Sequence, residues 1–252
     1  MTTAGLTAAG ATAAGMTVLD ADLGDALARG ELGPAPVDLA GFELAFMAAV
    51  LATDPDPDRA WDSFYDNSLA RVRSAWGTDR AGAGTLATFS RIWSRAAALS
   101  RGSTALDVGT CFGLLPLAWA AQPGAPRLLA ADLCFASASL AGRQARRHTL
   151  DVAVVCADGA RLPLPDRSID TVHLLHVLEH LSPPLGQAVL DEALRVADRR
   201  VVVAVPVETV PDPLFGHVRT FGPATLAALG RRCGWTTTVT AYDGAWLVLD
   251  RP

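Results

Sequence analysis

The segment STALDVGTCFG, residues 103–113, decides the fold of this chain. It begins as a short apolar strand, turns at Gly109 and Gly113, and runs into an apolar helix-like stretch at 114–120. A strand, a tight turn and a helix N-terminus bring unpaired backbone N–H groups to one point, and glycine lets a ligand approach the backbone. Asp107, two residues before the first glycine, adds a hydrogen-bond acceptor. The segment therefore predicts a nucleotide-type pocket.

From Gly102 onward the chain alternates strand-like and helix-like segments. Strands are predicted at 104–108, 127–131, 152–156, 168–175, 200–206, 235–242 and 245–249, and the helices between them at 114–121, 136–149, 185–196 and 223–233. Such alternation predicts an α/β fold, with a mostly parallel sheet covered by helices on both faces. Asp243-Gly244 predicts a two-residue hairpin turn, which makes the last strand antiparallel.

Residues 18–100 have helical periodicity and are expected to form a lid or substrate region, whereas residues 1–17 predict a disordered tail. The segment Asp54-Pro55-Asp56-Pro57 interrupts the helices, and Asp58 is expected to cap the next one. This region carries an aromatic stripe, made of Trp61, Phe64, Tyr65, Trp76 and Trp93. The stripe either stacks on an acceptor molecule or packs the helices onto the sheet.

Composition excludes several function classes. The net charge is −5, which argues against a broad nucleic-acid or anionic-membrane surface. All 21 basic residues are arginine. No apolar run approaches the roughly 20 residues of a spanning helix, and the start lacks the basic region of a signal peptide. We therefore expect a cytoplasmic protein without a membrane span, and the oligomeric state stays open. The four cysteines form no C-x-x-C pair, which predicts free, mostly buried thiols and no metal site.

Three successive predicted strands each end at an aspartate: Asp107, Asp132 and Asp158. Ligands of open α/β sheets bind at the carboxyl ends of the strands. Asp132 lies twenty-three residues after Gly109, where a carboxylate can grip both ribose hydroxyls, and Asp158 could accept the amino group of an adenine. Three such acids in register indicate an adenosine-type ligand.

These segments resemble class I S-adenosylmethionine-dependent methyltransferases of the type 11-like group. DVGTCFG at 107–113 resembles their D-x-G-x-G-x-G loop, and DGARLPLPDRSID at 158–170 resembles their D-A-x-x-L-P-x-x-D-x-S-F-D segment. HVLEHL at 176–181 resembles the sequence after their fourth strand. The resemblance covers about residues 100–250. It implies a Rossmann-like sheet of seven strands with an antiparallel last strand.

The resemblance also implies a set of residues for S-adenosyl-L-methionine, the expected cofactor. These are Asp107, Gly109, Thr110, Cys111, Gly113, Asp132, Leu133, Asp158, Gly159 and His176. Cys111 replaces the middle glycine of the loop and narrows the room beside the cofactor, either as a packing residue or as a catalytic thiol. A nicotinamide dinucleotide is the rival cofactor, but Gly109-Thr110-Cys111 fails its G-x-G-x-x-G pattern.

Methyl transfer to a hydroxyl needs alignment and a general base, and histidine suits that role at neutral pH. His176, at the end of the fourth strand of the sheet, and His217, in the loop after the fifth, are the candidate bases. Glu208, just past the fifth strand, could position a hydroxyl. Glu179 and His180 are expected to begin the following helix, as a cap or as hydrogen-bond partners of the site.

A narrower resemblance rests on Cys111 in its loop, on VPVE at 205–208 and on GHVRTF at 216–221. These segments look like the actinobacterial methyltransferases associated with the redox cofactor mycofactocin, which are implied to O-methylate a glucose of its oligosaccharide. We therefore expect an O-methyltransferase with a small-molecule or glycan acceptor. The alternatives are an N- or C-methyltransferase on a hydrophobic ring such as a quinone, and a non-catalytic module that binds the cofactor.

Overall fold

A computed structural model describes residues 19–78 and 84–252 of the chain. The predicted disordered tail at 1–17 lies outside these residues. The helices are α1 Leu23–Ala28, α2 Leu39–Leu51, α3 Pro57–Ala75, α4 Thr85–Leu99, α5 Leu114–Ala120, α6 Phe135–Arg147, α7 Pro183–Val196 and α8 Pro223–Arg232. The strands are β1 Thr104–Val108, β2 Arg127–Asp132, β3 Val152–Cys156, β4 Ile169–Leu175, β5 Ala197–Val205, β6 Thr236–Ala241 and β7 Ala245–Asp250.

The strands form one seven-stranded sheet in the order β3-β2-β1-β4-β5-β7-β6. The pairs among β1 to β5 are parallel, and β7 runs antiparallel to both β5 and β6. The predicted fold class is therefore confirmed. The strand order reverses between β1 and β4, and this is the position where open α/β sheets bind their ligands.

Helices cover both faces of the sheet, and alternation along each strand divides the core. On one face α7 and α8 pack on Leu106, Val172, Val203 and Leu247. On the other, α4 and α5 pack on the residues between these, among them Ala105 and Val202. Because both faces are buried, most residues of the central strands are apolar, as their sequences predicted.

Helix α3 packs on α5 and is joined to α6 by ion pairs, whereas α2 packs on α3 and α1 packs on α2. Trp61, Phe64 and Tyr65 of α3 are almost completely buried there. The packing alternative for these three aromatic residues is therefore the correct one, and stacking of their rings on an acceptor is excluded by their burial.

Four local expectations are wrong. Asp56 caps α3, because Pro57 takes the first helical position and Asp58 falls in the first turn. The β6–β7 hairpin has three loop residues, since Ala241 pairs with Ala245. Residues 178–180 form a separate 3-10 turn, so that α7 begins only at Pro183. Among the cysteines, three are exposed rather than buried: Cys111, Cys134 and Cys156.

Among the described residues, no helix has both the length and the apolar character needed to cross a bilayer.

Candidate active site

The loop between β1 and α5 turns through three left-handed residues. The φ angles of Gly109, Cys111 and Gly113 are +74°, +52° and +69°. A Cβ on Gly109 would lie 2.8 Å from a methyl carbon of Val177, and one on Gly113 would lie 2.7 Å from the Cβ of Ala141. Only glycine fits these two positions, which explains the spacing of the glycines.

Cys111 adopts the left-handed conformation that glycine adopts readily, at a cost of roughly 1–2 kcal/mol for an L-residue. Its backbone N–H donates a hydrogen bond of 2.7 Å to Oδ2 of Asp132. The residue is exposed, so burial in the core does not account for it. The loop keeps a tight turn with cysteine at this position.

The three strand-end carboxylates, of Asp107, Asp132 and Asp158, lie at different heights along the strand direction, an arrangement that we call the carboxylate staircase. Asp107 pairs in register with Ala130, two residues before Asp132, and Asp132 pairs with Cys156, two residues before Asp158. Each step is about 6.6 Å at the usual rise of a parallel strand. The carboxylates therefore climb from β1 to β3, which suits an elongated ligand lying across the strand ends.

Two of these carboxylates organise the loops that follow them. Oδ1 of Asp132 accepts a hydrogen bond of 2.8 Å from the N–H of Cys134. Oδ1 of Asp158 accepts one of 2.9 Å from the N–H of Ala160, while its Oδ2 lies 3.3 Å from the guanidinium of Arg161. Each oxygen keeps a further lone pair that could accept a ligand hydroxyl or amino group.

Asp107 is different, because it is buried without a cation beside it. Burial raises its pKa to about 7, the Thr110 hydroxyl lowers it, and the charge of Asp132 raises it further. Within the described residues no arginine or histidine forms an ion pair with this carboxylate. A buried acid without its own cation fits a ligand that brings one, and S-adenosylmethionine carries an ammonium and a sulfonium group.

The remaining expected cofactor residues lie around this staircase. Thr110 is buried in the loop, and Gly159 approaches Val108 so closely that a Cβ would lie 3.0 Å from it. Leu133, directly after Asp132, is 74% exposed. Phe135 is equally exposed, and sequence reasoning missed it because a single phenylalanine at a helix start carries no pattern. The two apolar side chains offer a surface for a flat ring.

His176 follows β4 in a left-handed conformation, with φ +54°. Its N–H donates a hydrogen bond of 2.8 Å to the carbonyl of Ala204 in β5, and its ring meets the edge of Phe89 at 5.1 Å between centroids. Nδ1 lies 3.2 Å from Oε1 of Glu179, and Nε2 is buried without a hydrogen-bond partner among the described residues. The imidazole is therefore held in place by these contacts, and the next residue, Val177, packs against Gly109 of the β1–α5 loop.

His217 and Glu208 form a pair in the loop after β5. Nδ1 of His217 lies 2.9 Å from each of the two carboxylate oxygens of Glu208. A single parallel bridge, Val207 to Phe221, closes the base of the loop. The pair has the arrangement in which a carboxylate fixes the tautomer of an imidazole and leaves Nε2 as the acceptor nitrogen.

The turn Leu178–His180 brings two more groups to this loop. The rings of His180 and His217 meet edge to face with 4.9 Å between centroids, and burial lowers the pKa of His180. Glu179 is completely buried, and its carbonyl accepts a hydrogen bond of 2.9 Å from the N–H of Val218. Sequence reasoning treated Glu179 and His180 as helix-start residues and missed their contact with the His217 loop, because the loop is remote in sequence.

Arg219 lies two residues after His217, in the same loop. Its Nε donates a hydrogen bond of 2.9 Å to the carbonyl of Leu178, and its guanidinium lies 4.6 Å from the centroid of the Phe221 ring. The side chain also fills the space in front of Gly186, where a Cβ would lie 2.1 Å from it. Arg219 therefore fastens the loop to the turn after β4.

The other two histidines lie away from the strand ends. His173 is buried inside β4, with Nε2 2.9 Å from the hydroxyl of Ser100. His148 ends α6, and its Nε2 lies 3.2 Å from a carboxylate oxygen of Asp66.

The site thus has two neighbouring parts at the β1–β4 reversal. One is the glycine loop with its staircase of carboxylates on β1, β2 and β3. The other is the cluster of His176, Glu179, His180, Glu208 and His217 beyond β4 and β5. Their contact is the packing of Val177 against Gly109. The two parts are therefore adjacent in the fold.

Comparison with known proteins gives a family match that spans strands β1 to β5. Residues 106–205 match the family model described as a methyltransferase domain. A comparison with curated protein sequences finds no significant match.

Among solved structures, magnesium protoporphyrin IX methyltransferase from Synechocystis PCC 6803 with bound SAH is 17% identical; the alignment covers 78% of this chain and 100% of that one, with a TM-score of 0.54. The [4+2]-cyclase SpnF is 22% identical over 69% of this chain and 71% of its own, with a TM-score of 0.53. A putative methyltransferase from Bacillus halodurans C-125 is 15% identical over 64% and 98%, with a TM-score of 0.52.

The domain match and the fold together support an S-adenosylmethionine-dependent methyltransferase. The buried, cation-free Asp107 and the staircase of acids fit that cofactor, as argued above. The similarity to a cyclase shows that the fold alone does not define the reaction.

Proposed function

We propose that this chain is an O-methyltransferase that transfers a methyl group from S-adenosylmethionine to a hydroxyl of a small molecule or glycan. The observation that carries the proposal is the His217–Glu208 pair, with 2.9 Å between Nδ1 and each carboxylate oxygen. Transfer to a hydroxyl needs a base, whereas transfer to an amine or a carbon of an electron-rich ring needs less help.

The division of roles follows from the geometry. S-adenosylmethionine, when bound, supplies an electrophilic methyl group. Asp107, Asp132 and Asp158 bind its charged and hydroxyl groups, and the glycine loop admits it to the backbone. Nε2 of His217 takes the proton of the acceptor hydroxyl. Glu208 holds the imidazole in one tautomer and stabilises the cation that forms.

His176 is the second candidate for contact with the acceptor or with the cofactor. Its ring is confined between Phe89 and Glu179 beside the β1–α5 loop. The left-handed backbone of a non-glycine residue stores strain, and such strain concentrates at active sites. This supports a functional rather than a packing role for His176.

The helical region at 18–100 is proposed as the lid of the acceptor site. Helix α2 reaches the His217 loop, where the rings of Phe42 and Phe215 meet at 5.6 Å between centroids and Leu39 packs on Gly216. The outer side of α2 exposes Leu44 and Met47, which are 70% and 45% accessible. An acceptor entering beside His217 would therefore pass along an apolar helix.

The acceptor is proposed to be a sugar hydroxyl, with a glucose of the mycofactocin oligosaccharide as the first compound to test. This rests on the resemblance of VPVE at 205–208 and GHVRTF at 216–221, the two segments that carry Glu208 and His217.

The test incubates the full chain with methyl-labelled S-adenosylmethionine and three sets of acceptors: glycans, phenols, and aromatic amines or quinones. Extracts of an actinobacterial host form a fourth arm, with the labelled product identified by mass spectrometry. A methyl ether is the expected product, and His217→Ala is expected to slow its formation by about 10²- to 10⁴-fold while cofactor binding persists. Label on nitrogen or carbon would contradict O-methylation. Cofactor binding without transfer in every arm would indicate a non-catalytic module.

A further inference from the structure

Glu179 presents a problem that the methyltransferase reaction does not explain. Its side chain is completely buried, and neither carboxylate oxygen has a hydrogen-bond partner in the described part of the chain. Burying a charge without partners costs several kcal/mol. The nearest titratable atom is Nδ1 of His176, 3.2 Å from Oε1 but outside hydrogen-bond geometry. The guanidinium of Arg219 acts on the carboxylate only through its field, since its Nε is bound to the carbonyl of Leu178.

Two imidazoles lie beside this carboxylate. One ligand atom each from Glu179, His180 and His217 can be chosen so that all three lie within 4.8 Å of one another. Around a tetrahedral ion with bonds of about 2.1 Å, ligand atoms are about 3.4 Å apart. Side-chain rotations that shorten the distances between these three atoms by at most about 1.4 Å would therefore bring them around one ion.

We propose that Glu179, His180 and His217 bind a divalent transition-metal ion, and that zinc is the ion that this donor set fits best. Two histidines and one glutamate are a known ligand set of catalytic zinc, which keeps a fourth position open for water or substrate. An ion supplies the partner that the buried carboxylate lacks.

The pair of His217 and Glu208 then has a second role. A metal-binding histidine commonly donates its other ring N–H to a carboxylate, which fixes the ring orientation and raises the basicity of the ligand nitrogen. Glu208 stands in that relation to His217, with 2.9 Å between its oxygens and Nδ1. Nε2 of His217 is thereby the nitrogen directed to the ion, and Glu208 is a positioning residue.

The role of the ion in catalysis rests on the proposed function, whereas the site itself does not. A metal ion lowers the pKa of a bound hydroxyl and orients it for attack. When the ion is bound, His217 is a ligand and no longer takes the proton. His176, whose Nε2 has no partner, is the imidazole left for that task. The acceptor hydroxyl would lose its proton to Nε2 of His176 while its oxygen forms a bond to the methyl carbon. The bond between that carbon and the sulfur of S-adenosylmethionine would break, the sulfur would keep the electron pair, and S-adenosylhomocysteine would leave. The positive charge of the sulfonium group would then be on the imidazolium of His176, so atoms and charge balance.

The test uses the full chain, stripped with a chelator and then titrated with Co²⁺ and Zn²⁺. Co²⁺ in a site with two imidazoles and one carboxylate gives visible absorption bands, which exposed single histidines do not. We expect one ion per chain. Glu179→Gln and His180→Gln should weaken binding at least 100-fold, and Glu208→Gln about 10- to 100-fold. His148→Gln is the matched control and should leave binding unchanged, because His148 is a half-buried histidine at the end of α6, outside this cluster.

Melting temperatures distinguish a variant that has lost the metal site from one that has lost its fold. Without metal, Glu179→Gln should melt no lower than the wild type, because glutamine keeps the shape of the side chain and replaces a carboxylate that makes no hydrogen bond among the described residues. Zn²⁺ should raise the melting temperature of the wild type but not of this variant. Absence of the cobalt bands, or equal binding by Glu179→Gln and the wild type, would overturn the proposal and leave a His176–Glu179 contact as the purpose of this carboxylate.

The activity arms distinguish this proposal from the previous one. Metal binding without methylation of any hydroxyl would contradict the O-methyltransferase assignment and leave the metal site in place. Full methylation by the stripped protein, with no cobalt bands, would contradict the metal site and leave the O-methyltransferase assignment in place.

Discussion

The phenol hydroxyl of Tyr65 donates a hydrogen bond of 2.8 Å to the backbone carbonyl of Phe112, inside the β1–α5 loop. The ring of Phe112 also packs among Phe46, Trp61 and Phe64, at 5.4 to 5.7 Å between centroids. The first helices of the chain therefore hold the loop on which cofactor binding is expected to depend. Stability of this helical layer and cofactor affinity should be coupled.

Tyr65→Phe tests that coupling. It removes the hydrogen bond, leaves the ring in place and deprives the Phe112 carbonyl of its partner, which should cost about 1–2 kcal/mol of unfolding free energy. Affinity for S-adenosylmethionine should fall several-fold because the loop is less fixed. Urea unfolding and calorimetric titration measure the two effects. An unchanged cofactor affinity in a destabilised variant would show that α3 does not set the loop position.

Asp132→Ala should weaken cofactor binding at least tenfold. The carboxylate is expected to bind the ribose, and it also accepts hydrogen bonds from the N–H groups of Cys111 and Cys134. Calorimetry gives the affinity, with Asp151→Ala as the control, since Asp151 is an exposed acid just before β3. An affinity equal to that of the wild type would remove Asp132 from the cofactor site.

The raised pKa of Asp107 predicts how the affinity for S-adenosylmethionine changes with pH. Burial raises its pKa to about 7, so this carboxyl is largely protonated at pH 6 and ionised at pH 8. A cationic ligand prefers the ionised form, and the contribution of Asp107 to affinity should therefore rise about tenfold over this range. Calorimetry in buffers of different ionisation enthalpy should detect proton release on binding at pH 6 to 7.

Asp107→Asn is the corresponding control. It should bind the cofactor weakly and without this pH dependence. The folded pKa of about 7 lies above the ordinary value of 3.8, so the wild type loses stability through Asp107 as pH rises from about 4 to about 7. The free energy of unfolding of the variant minus that of the wild type should therefore be larger at pH 8 than at pH 4. A parallel pH dependence in both proteins would assign the effect to another group.

His217→Ala and Glu208→Gln test the pair after β5. Loss of the imidazole should reduce kcat by about 10²- to 10⁴-fold, the usual contribution of a general base. Glu208→Gln should give a smaller loss, since the ring remains but its orientation is less fixed. Cofactor affinity should be intact in both variants, because neither residue lies on the carboxylate staircase. Full turnover in His217→Ala would exclude His217 from the reaction.

His173 predicts a loss of stability in mild acid. Burial lowers the pKa of this imidazole to about 3 from an ordinary value of 6.5. Between these two values the unfolded chain binds a proton that the folded chain does not, so the stabilising contribution is present above pH 6.5 and falls as pH drops. The expected slope approaches 1.4 kcal/mol per pH unit.

His173→Gln keeps a polar partner for the Ser100 hydroxyl and removes the titration. Urea unfolding at pH 7.5, 6.0 and 5.0 should therefore give a smaller loss for the variant than for the wild type. Equal losses in the two proteins would show that other groups control acid sensitivity.

Prediction from the sequence failed where residues that are remote in sequence determine the local structure. Strand β5 begins at Ala197 rather than at residue 200, although Asp198 and Arg199 read as a polar loop. Arg199 pairs with Asp170 of β4 at 2.6 Å, and Arg200 pairs with Asp250 of β7 at 2.7 Å. Neighbouring strands satisfy these charges, so polar residues continue a strand that local propensity would end.

The sequence by itself determined the sheet, its antiparallel last strand and the glycine loop. These depend on local patterns: apolar strands, glycines at positions that exclude a Cβ, and acids at strand ends. Only the tertiary structure decided that Asp107 is buried without a cation, and that Glu179 and His180 meet the pair of His217 and Glu208. Those relations depend on burial and on contacts across almost forty residues of chain, which no local pattern encodes.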